Sequence, residues 1–343
     1  MKRLSCSAQP KLNGALQNCF FYKQDIRKPV IRNKDSYFTK SFPKSLSNLV
    51  RIIKMNDVKY PIVSKTSLSK NKIMPQTLTL KAPGDERRFF SIPPEVAELS
   101  RPFNGNVVND DGAECTIQNN IIRLIDSIPL DATLAQRSNF LTVTAKVYEN
   151  TWRARSIGVL SGQPFSLEEE QKLLQSWTSP KPNEWIADIG CSTGFYARSV
   201  AEKEPHANII ALDFSEEMLE ETRLRCLDEK HNIFLLRADA SALPFYAESM
   251  DALVCGGSLN EFANPEKVLY EMRRVLKRDG RCFMMHLMKA ETWYGRLLQK
   301  GSETGGLHFW SEEESDALFA RAGFTVTRRH KMGIVCFSLL HVK

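Results

Sequence analysis

The stretch Asp188–Gly194, DIGCSTG, combines residue types that suit ligand binding at a turn. It follows an apolar run and precedes a run with helical spacing, so it is predicted to connect a strand to a helix. Gly190 and Gly194, four positions apart, allow a sharp turn and let the backbone approach a ligand closely. The alternative is a tight turn that binds nothing, and residues further along the chain bear on that choice.

A second carboxylate, Asp213, ends the apolar run NIIALD, 19 residues beyond Gly194. An acid at this strand end of a nucleotide-binding sheet can accept hydrogen bonds from a ribose diol. The alternative role is the N-cap of the following helix, but Ser215 is better placed for that role. We therefore predict that Asp213 binds a ribose and that the glycine turn belongs to a nucleotide site.

The spacing of the turn bears on which nucleotide binds. A dinucleotide site carries G-x-G-x-x-G and an open helix N-terminus for a pyrophosphate. This turn instead reads D-x-G-x-x-x-G, with Cys191 and Ser192 between the glycines. The negative carboxylate of Asp188 would repel a pyrophosphate and would instead attract a cationic or amine-bearing ligand. S-adenosylmethionine, which has both a sulfonium and an ammonium group, is a ligand of this kind.

Other polar residues and glycines follow the later strands. In open α/β sheets, ligands bind outside the carboxyl ends of the strands, so these residues should meet at one edge. They are Asp239 and Ala240 after the third strand, Gly256, Gly257, Ser258, Asn260 and Glu261 after the fourth, and His286 and Met288 after the fifth.

Strands and helices that alternate after Ser166 must position these residues. Ser166 and Ser215 are predicted helix N-caps. Ser311 and Glu314 form a predicted capping box. Short apolar strands between amphipathic helices predict an α/β fold with a doubly wound, mostly parallel, seven-stranded sheet. The last two strands flank Met332–Gly333, too short a connection for a parallel crossover, so they should close the sheet antiparallel.

The chain divides into three predicted regions. Residues 1–81 form a disordered basic leader, which is typical of an organelle transit peptide and linker; the alternative is an untargeted tail. Residues 82–132 form a small β-rich or irregular segment without evident chemistry, in which AECTIQNNIIRLIDSIPLD is a turn, a short strand and a turn. Residues 133–343 form the main domain, which begins with a helical lid that contains Tyr148, Trp152 and Arg153.

The net charge of +7 arises in the leader. Residues 1–81 hold 17 Lys and Arg against three acids, whereas the remainder holds 30 against 37, so the folded region lacks the basic surplus that nucleic acid requires. The eight cysteines include no C-x-x-C pair, which argues against a metal site and for reduced thiols outside the secretory pathway. No apolar run is long enough to span a bilayer. Peripheral membrane contact and the oligomeric state stay open.

The chain resembles class I S-adenosylmethionine-dependent methyltransferases, most of all the branch with the ubiquinone and menaquinone C-methyltransferases and their plastid and cyanobacterial relatives. The resemblance rests on Asp188–Gly194, on Asp213 with FSEEML, on RADASALPF at 237–245 and on VLKRDGRC at 275–282. It covers residues 135–343 and implies a methyl donor as cofactor and a small molecule as acceptor.

The resemblance also implies a role for each site residue. Gly190 and Gly194 would flank the methionine moiety, with Ser192 in place of the family's third glycine and its hydroxyl near the cofactor carboxylate. Asp213 would bind the ribose, and Asp239, beside Ala240, would meet the adenine amine. The remaining implied contacts are Phe214 and Met218 in the adenine pocket and Gly256 and Gly257 beneath the sulfonium.

The predicted function is methyl transfer to a small, quinone-like or otherwise lipophilic acceptor in a plastid, with the mitochondrion or cytoplasm as alternatives. Methyl transfer by in-line displacement requires that the acceptor atom and the methyl group be held in line in a pocket that excludes water. The candidate bases His286, Glu261 and His308 suit packing or surface roles equally well, so no catalytic residue is assigned. Two other functions are weighed: a nicotinamide-dependent oxidoreductase, whose glycine pattern is missing, and an inactive binding protein, which the three intact acids disfavour.

Overall fold

A ten-stranded sheet runs through the described part of the chain, which in this computed structural model comprises residues 74–82, 85–126, 133, 160 and 164–343. Numbered within these residues, the strands are β1 Leu78–Ala82, β2 Asp85–Ile92, β3 Gly105–Val108, β4 Glu114–Gln118, β5 Ile121–Arg123, β6 Trp185–Ile189, β7 Asn208–Asp213, β8 Phe234–Arg237, β9 Met250–Gly256, β10 Leu276–Leu287, β11 Phe324–Met332 and β12 Val335–Val342. The helices are α1 Leu167–Thr178, α2 Phe195–Lys203, α3 Glu216–Glu229, α4 Pro265–Val275, α5 Trp293–Glu303 and α6 Glu312–Arg321. The predicted helical lid, including Tyr148, Trp152 and Arg153, and residues 1–73 of the leader lie outside the described residues.

Five parallel strands form the centre of the sheet. β6 lies between β7 and β9, with β8 beyond β7 and β10 beyond β9. β12 pairs antiparallel with β10, and β11 pairs antiparallel with β12. The predicted mostly parallel seven-stranded sheet with an antiparallel closing strand is therefore confirmed for β6–β12. The strand order reverses between β6 and β9, where such sheets form a ligand crevice.

Three further strands extend this sheet beyond β8. β5 pairs parallel with β8, and β4 and β3 follow antiparallel. The prediction of a single strand in AECTIQNNIIRL was wrong, because the segment holds both β4 and β5. Asn119 and Asn120 connect them with φ angles of 49° and 66°, the left-handed pair that a two-residue hairpin turn requires.

The folded region begins earlier than residue 82. Leu78 and Leu80 of β1 are buried, and β1 pairs antiparallel with β2 in a separate two-stranded sheet. Lys81 N donates to Pro244 O at 2.9 Å. The end of the leader at residue 81 was therefore placed too late, because alternating Leu78 and Leu80 already belong to a strand with one buried face.

Helices cover both faces of the sheet. Leu174 of α1, Val200 of α2 and Leu219 of α3 pack in the core of one face, and Leu269 of α4 and Phe319 of α6 pack in the core of the other. The predicted caps are present: a serine oxygen accepts a backbone N–H at the start of α1, α3 and α6. No helix of the described residues is both long enough and apolar enough to cross a bilayer.

Candidate functional site

Every second residue of the turn after β6 has left-handed backbone. Gly190, Ser192 and Gly194 have φ angles of 69°, 52° and 75°. Peptide N–H groups of the turn bond within the fold: Gly190 N and Cys191 N both donate to Leu212 O at 2.9 Å, and Gly194 N donates to Cys191 O at 2.8 Å. For Ser192, the left-handed conformation costs roughly 1–2 kcal/mol that a glycine would avoid.

Hydrogen bonds hold Ser192 in this conformation. Its backbone N donates to Asp213 Oδ2 at 2.8 Å, and Thr222 Oγ1 donates to its carbonyl at 2.9 Å. Its hydroxyl lies 3.5 Å from the sulfur of Met218, which is fully buried. Ser192 is therefore tied to β7 and α3.

Both glycines of the turn are required by close packing as well as by their φ angles. A Cβ on Gly190 would lie 2.6 Å from Ser258 Oγ, and a Cβ on Gly194 would lie 2.4 Å from Thr222 Cγ2. Ser258 Oγ also donates to Gly190 O at 2.8 Å. The turn is thus fixed between the loop after β9 and helix α3.

The buried carboxylate of Asp213 connects two loops through hydrogen bonds. Its carboxylate accepts from Ser215 N at Oδ1, 2.9 Å, and from Ser192 N at Oδ2, 2.8 Å. Burial raises its pKa to about 6, although the hydrogen bonds from the Ser215, Ser192 and Phe214 amides lower it. A carboxylate offers about four lone-pair positions, so Asp213 keeps acceptor capacity for a ligand hydroxyl.

Asp188 and Cys191 have structural contacts in the same turn. Asp188 is 2% exposed, and its Oδ2 accepts from Ala197 N in the first turn of α2 at 3.0 Å. The carboxylate predicted to favour an amine-bearing ligand thus orients the start of α2. Cys191 is buried, and burial raises the pKa of its thiol well above the usual value.

The adenine-side candidates lie at the ends of β7 and β8. Phe214 is half-buried, and its carbonyl accepts from Arg237 Nε at 3.3 Å. Asp239 is half-buried and accepts from the backbone N and hydroxyl of Ser241 at 2.8 and 2.9 Å. Asp239 therefore caps a short helical turn that begins at Ala240.

Ion pairs that include a residue of β5 stabilise this side of the site. Arg123 of β5 and Arg237 of β8 both bind the carboxylate of Glu216, the first residue of α3. Arg237 also holds the Phe214 carbonyl. The segment 82–132, which showed no chemistry in the sequence, therefore supports the loop between β7 and α3.

Gly256 and Gly257 lie at the end of β9, where the strand packs closely against its neighbours. A Cβ on Gly256 would lie 2.7 Å from the ring of Tyr196, and Gly257 has φ 90° and donates to Met285 O at 2.9 Å. Tyr196 is buried and its hydroxyl donates to Glu170 at 2.6 Å. The two glycines let β9 end directly against α2 and β10.

Asn260 links three segments, a role that sequence analysis did not find. It is 1% exposed, its Nδ2 donates to the carbonyls of Leu287 and His308, and its Oδ1 accepts from Leu287 N at 2.8 Å. His308 N donates back to Asn260 O at 2.8 Å. This residue fixes the loop before α6 to the carboxyl ends of β9 and β10.

We expect Asn260→Ala to lower the melting temperature. The substitution removes three hydrogen bonds of a buried side chain, and each unsatisfied group costs about 1–3 kcal/mol. Asn264→Ala is the matched control, because Asn264 only caps α4 through one exposed bond to Lys267 N. Equal melting temperatures for the two variants would contradict the role given to Asn260.

The three candidate bases have different surroundings. His286 is fully buried, its ring packs edge-on against Phe319 at 5.5 Å, and within the described chain both ring nitrogens lack hydrogen-bond partners. Burial lowers its pKa to about 3, with a further contribution from Arg329. His308 and Glu261 are half-buried. Glu261 follows Asn260 in the chain, and Asn260 is hydrogen-bonded to the backbone of His308. The rings of His308 and Trp310 stack with their centroids 6.0 Å apart. His308 and Glu261 therefore lie at the β9 and β10 ends, whereas His286 is enclosed on the α6 face.

Residues 187–284, which hold the turn, Asp213, Asp239 and the β9 loop, match the family model of a methyltransferase domain. An uncharacterized chloroplastic methyltransferase of Arabidopsis thaliana is 25% identical over 278 residues, which cover 74% of this chain and 77% of the relative.

Two further relatives are named for their acceptors. A demethylmenaquinone methyltransferase of Lactococcus lactis is 31% identical over 172 residues, which cover 43% of this chain and 68% of the relative. The chloroplastic 2-methyl-6-phytyl-1,4-hydroquinone methyltransferase 2 of rice is 26% identical over 148 residues, which cover 43% of this chain and 41% of the relative. This chain therefore spans less than half of the rice protein's length.

Proposed function

Because the chain belongs to the class I S-adenosylmethionine-dependent methyltransferases, we propose that it methylates a small, lipophilic, quinone-like ring in a plastid. The enzyme class and the cofactor are those of the family. The acceptor is suggested by the names of two relatives, a demethylmenaquinone and a phytylhydroquinone methyltransferase. Membership in this family sets aside the two alternatives, a nicotinamide-dependent oxidoreductase and an inactive binding protein.

The proposed cofactor site spans the carboxyl ends of β6–β9. The turn Gly190–Gly194, which includes Cys191 and Ser192, would hold the methionine part. Asp213 would accept the ribose hydroxyls, and Asp239, beside Ala240, would accept from the adenine amine.

The rest of the proposed site supports these contacts. Phe214 would line the adenine, and Gly256 and Gly257 would lie beneath the sulfonium. Met218 is buried against Ser192 and would support the turn. Asp188 acts through α2, whose first turn it caps.

One observation carries this placement: a buried carboxylate with unused acceptor capacity adjoins the glycine turn. Asp213 is 6% exposed, and the backbone amides of Ser192, Ser215 and Phe214 occupy only part of its hydrogen-bonding capacity. Ribose hydroxyls are the donors that such a group needs, since their hydrogen bonds to a carboxylate are charge-assisted. The residues present therefore fit the cofactor that the family uses.

When bound, S-adenosylmethionine supplies an electrophilic methyl group on a sulfonium. The chain's own contribution is alignment: the turn fixed by Ser258 and Thr222 holds one reactant, and the loop fixed by Asn260 borders the other. Rigid positioning of two reactants accelerates an in-line displacement. Of the candidate bases, His308 and Glu261 lie at the carboxyl ends of β9 and β10, whereas His286 is enclosed, and no catalytic base is assigned.

We expect the affinity for S-adenosylhomocysteine to fall about tenfold between pH 7 and pH 5. Ribose binding favours the ionised carboxylate, and the pKa of Asp213 in the free protein is about 6. Isothermal titration calorimetry measures this, and Asp213→Asn should abolish the pH dependence. Equal affinity at both pH values would contradict the assignment.

Acid unfolding does not account for such a loss. The pKa of Asp213 in the folded protein, about 6, exceeds its ordinary value of 3.8. The folded state therefore binds this proton more tightly than the unfolded chain does. As the pH falls from 6 towards 4, Asp213 taken alone stabilises the fold.

The acceptor is tested with the purified chain, radiolabelled S-adenosylmethionine and two acceptor sets. Demethylated quinones with a prenyl or phytyl chain should be methylated, and hydrophilic phenols and amines of similar ring size should not. Methylation of the hydrophilic set alone would overturn the proposed acceptor and leave the enzyme class unchanged.

The plastid is proposed from the same relatives, two of which are chloroplastic, and from the basic leader. A fluorescent protein fused behind residues 1–77 should enter the plastids of a plant or algal cell. A cytosolic or mitochondrial signal would contradict this location.

A further inference from the structure

Helix α5 carries an exposed apolar face that neither the cofactor site nor the sheet uses. Trp293, Tyr294 and Leu297 are 74%, 57% and 64% exposed. Five other large apolar residues of the described chain are similarly exposed, but each lies on a different element or loop: Phe89, Val108, Leu224, Tyr246 and Tyr270. Isolated apolar side chains are common on surfaces, whereas a cluster marks an interaction site.

The apolar face points away from the described part of the protein. With 3.6 residues per turn, Trp293, Leu297 and Tyr294 fall within an arc of about 100°, and Gln299 lies on the opposite side. Gln299 is 7% exposed, donates to Met288 O at 2.8 Å and accepts from Ala290 N at 2.8 Å. The inner side of α5 is therefore pinned to the segment that follows β10, and its outer side is left to a partner.

Residue types on this face suit a lipid surface. Tryptophan and tyrosine combine an apolar ring with a polar group, which favours the interface between acyl chains and headgroups. The basic residues Arg296 and Lys300 border the apolar arc, and both are exposed. An apolar stripe with tryptophan and leucine beside basic residues is typical of helices that lie in a membrane interface.

Charge argues against cover of this face by residues 134–159. Residues 134–159, which link Thr133 near Glu261 to Leu160 near Ile334, contain four basic residues and one acid. Helix α5 contains two basic residues and one acid. Two segments of like charge repel each other, and both are attracted to an anionic surface.

We propose that Trp293, Tyr294 and Leu297 dock this protein on an anionic lipid bilayer, with α5 in the plane of the headgroups. Five residues separate the end of β10 from the start of the helix, which lies beside the loop that carries His308 and Trp310. Docking thus brings the edge of the site that borders the acceptor close to the membrane surface. The inference goes beyond the proposed function and does not depend on which acceptor is methylated.

The test uses the full chain and vesicles of phosphatidylcholine with phosphatidylglycerol. The triple variant W293S/Y294S/L297S should lower the vesicle partition coefficient about tenfold or more, because three apolar side chains no longer insert. The control variant L224S/Y270S changes two comparably exposed residues, 46% and 48%, on α3 and α4, and should bind like the wild type. Since all variants keep the basic leader, the difference reports on α5.

A second readout locates the inserted residue. Lipids brominated on the acyl chains should quench the fluorescence of the wild type more than that of Trp293→Phe, and circular dichroism should show the same fold for all variants. Equal vesicle binding by the triple variant and the wild type would overturn the proposal. So would shielding of Trp293 from acrylamide without vesicles, which indicates cover by the chain itself, or a dimer that the triple variant dissociates.

The docking surface and the proposed function can fail separately. Calorimetry with S-adenosylhomocysteine should give the same affinity for the triple variant and the wild type. A protein that binds vesicles through α5 but methylates no lipophilic ring would refute the acceptor and retain the docking surface. A protein that methylates such a ring but does not bind vesicles would refute the docking surface alone.

Discussion

Asp213→Ala is expected to weaken S-adenosylhomocysteine binding about 30- to 1000-fold, which corresponds to about 2–4 kcal/mol. The variant lacks the acceptor proposed for the ribose hydroxyls. Ser192 N and Ser215 N also lose their acceptor, so the turn after β6 should lose its fixed conformation. Isothermal titration calorimetry measures the affinity, and NAD should bind neither the wild type nor the variant.

Ser215 caps α3 without help from Asp213. The amides of Ser192, Ser215 and Phe214 nevertheless bond the Asp213 carboxylate, so the melting temperature of the variant should also fall. Asp213→Asn keeps one side-chain oxygen as an acceptor and should lose less affinity.

A matched control separates lost ligand contact from lost stability. Asp251 at the start of β9 accepts from Trp185 N at 2.9 Å and binds Lys277 at 2.6 Å. It lies at the opposite edge of the sheet, so Asp251→Asn should change the melting temperature without changing the affinity. Wild-type affinity in a folded Asp213→Ala protein would show that the ribose is bound elsewhere.

Gly194→Ala is expected to lower both the stability and the affinity for S-adenosylhomocysteine. The left-handed φ of 75° costs an alanine about 1–2 kcal/mol. The new Cβ would lie 2.4 Å from Thr222 Cγ2, and overpacking of this kind costs about 1–3 kcal/mol. Differential scanning calorimetry should show a melting temperature lower by roughly 5–15 °C.

Two further variants divide this loss into its causes. Gly112 has φ 79° and no atom within 4 Å of a built Cβ, so Gly112→Ala should show the backbone cost without a steric clash. In Gly194→Ala/Thr222→Ser, the methyl group that clashes is gone while the hydroxyl that bonds Ser192 O is kept. This double variant should recover the packing part of the loss. If Gly112→Ala and Gly194→Ala are equally destabilised, the contact with Thr222 is unimportant.

The sequence by itself determined the features that depend on neighbours in the chain. A serine hydroxyl reaches an amide three residues further on, so the starts of α1, α3 and α6 could be read directly from Ser166, Ser215 and Ser311. Apolar strands that alternate with amphipathic helices predicted the parallel sheet. Asp213 was found because a strand end and its acid are adjacent in sequence. Helix α5 was missed, although Thr292 caps it and accepts from Gly295 N at 3.3 Å, because its apolar face is turned outwards and was not recognised as an amphipathic pattern.

Only the tertiary structure decided which distant residues meet. Ser258 packs on Gly190 and Thr222 packs on Gly194, because β9 and α3 lie beside the turn after β6, and no local pattern encodes those contacts. In the sequence, Asn260 is one of several polar residues in a loop, and only the structure shows that it bonds both β10 and the backbone of His308. His286 read as a candidate base at a strand end, but α6 encloses it. β5 showed no role until it paired with β8, because strand pairing joins residues more than a hundred positions apart.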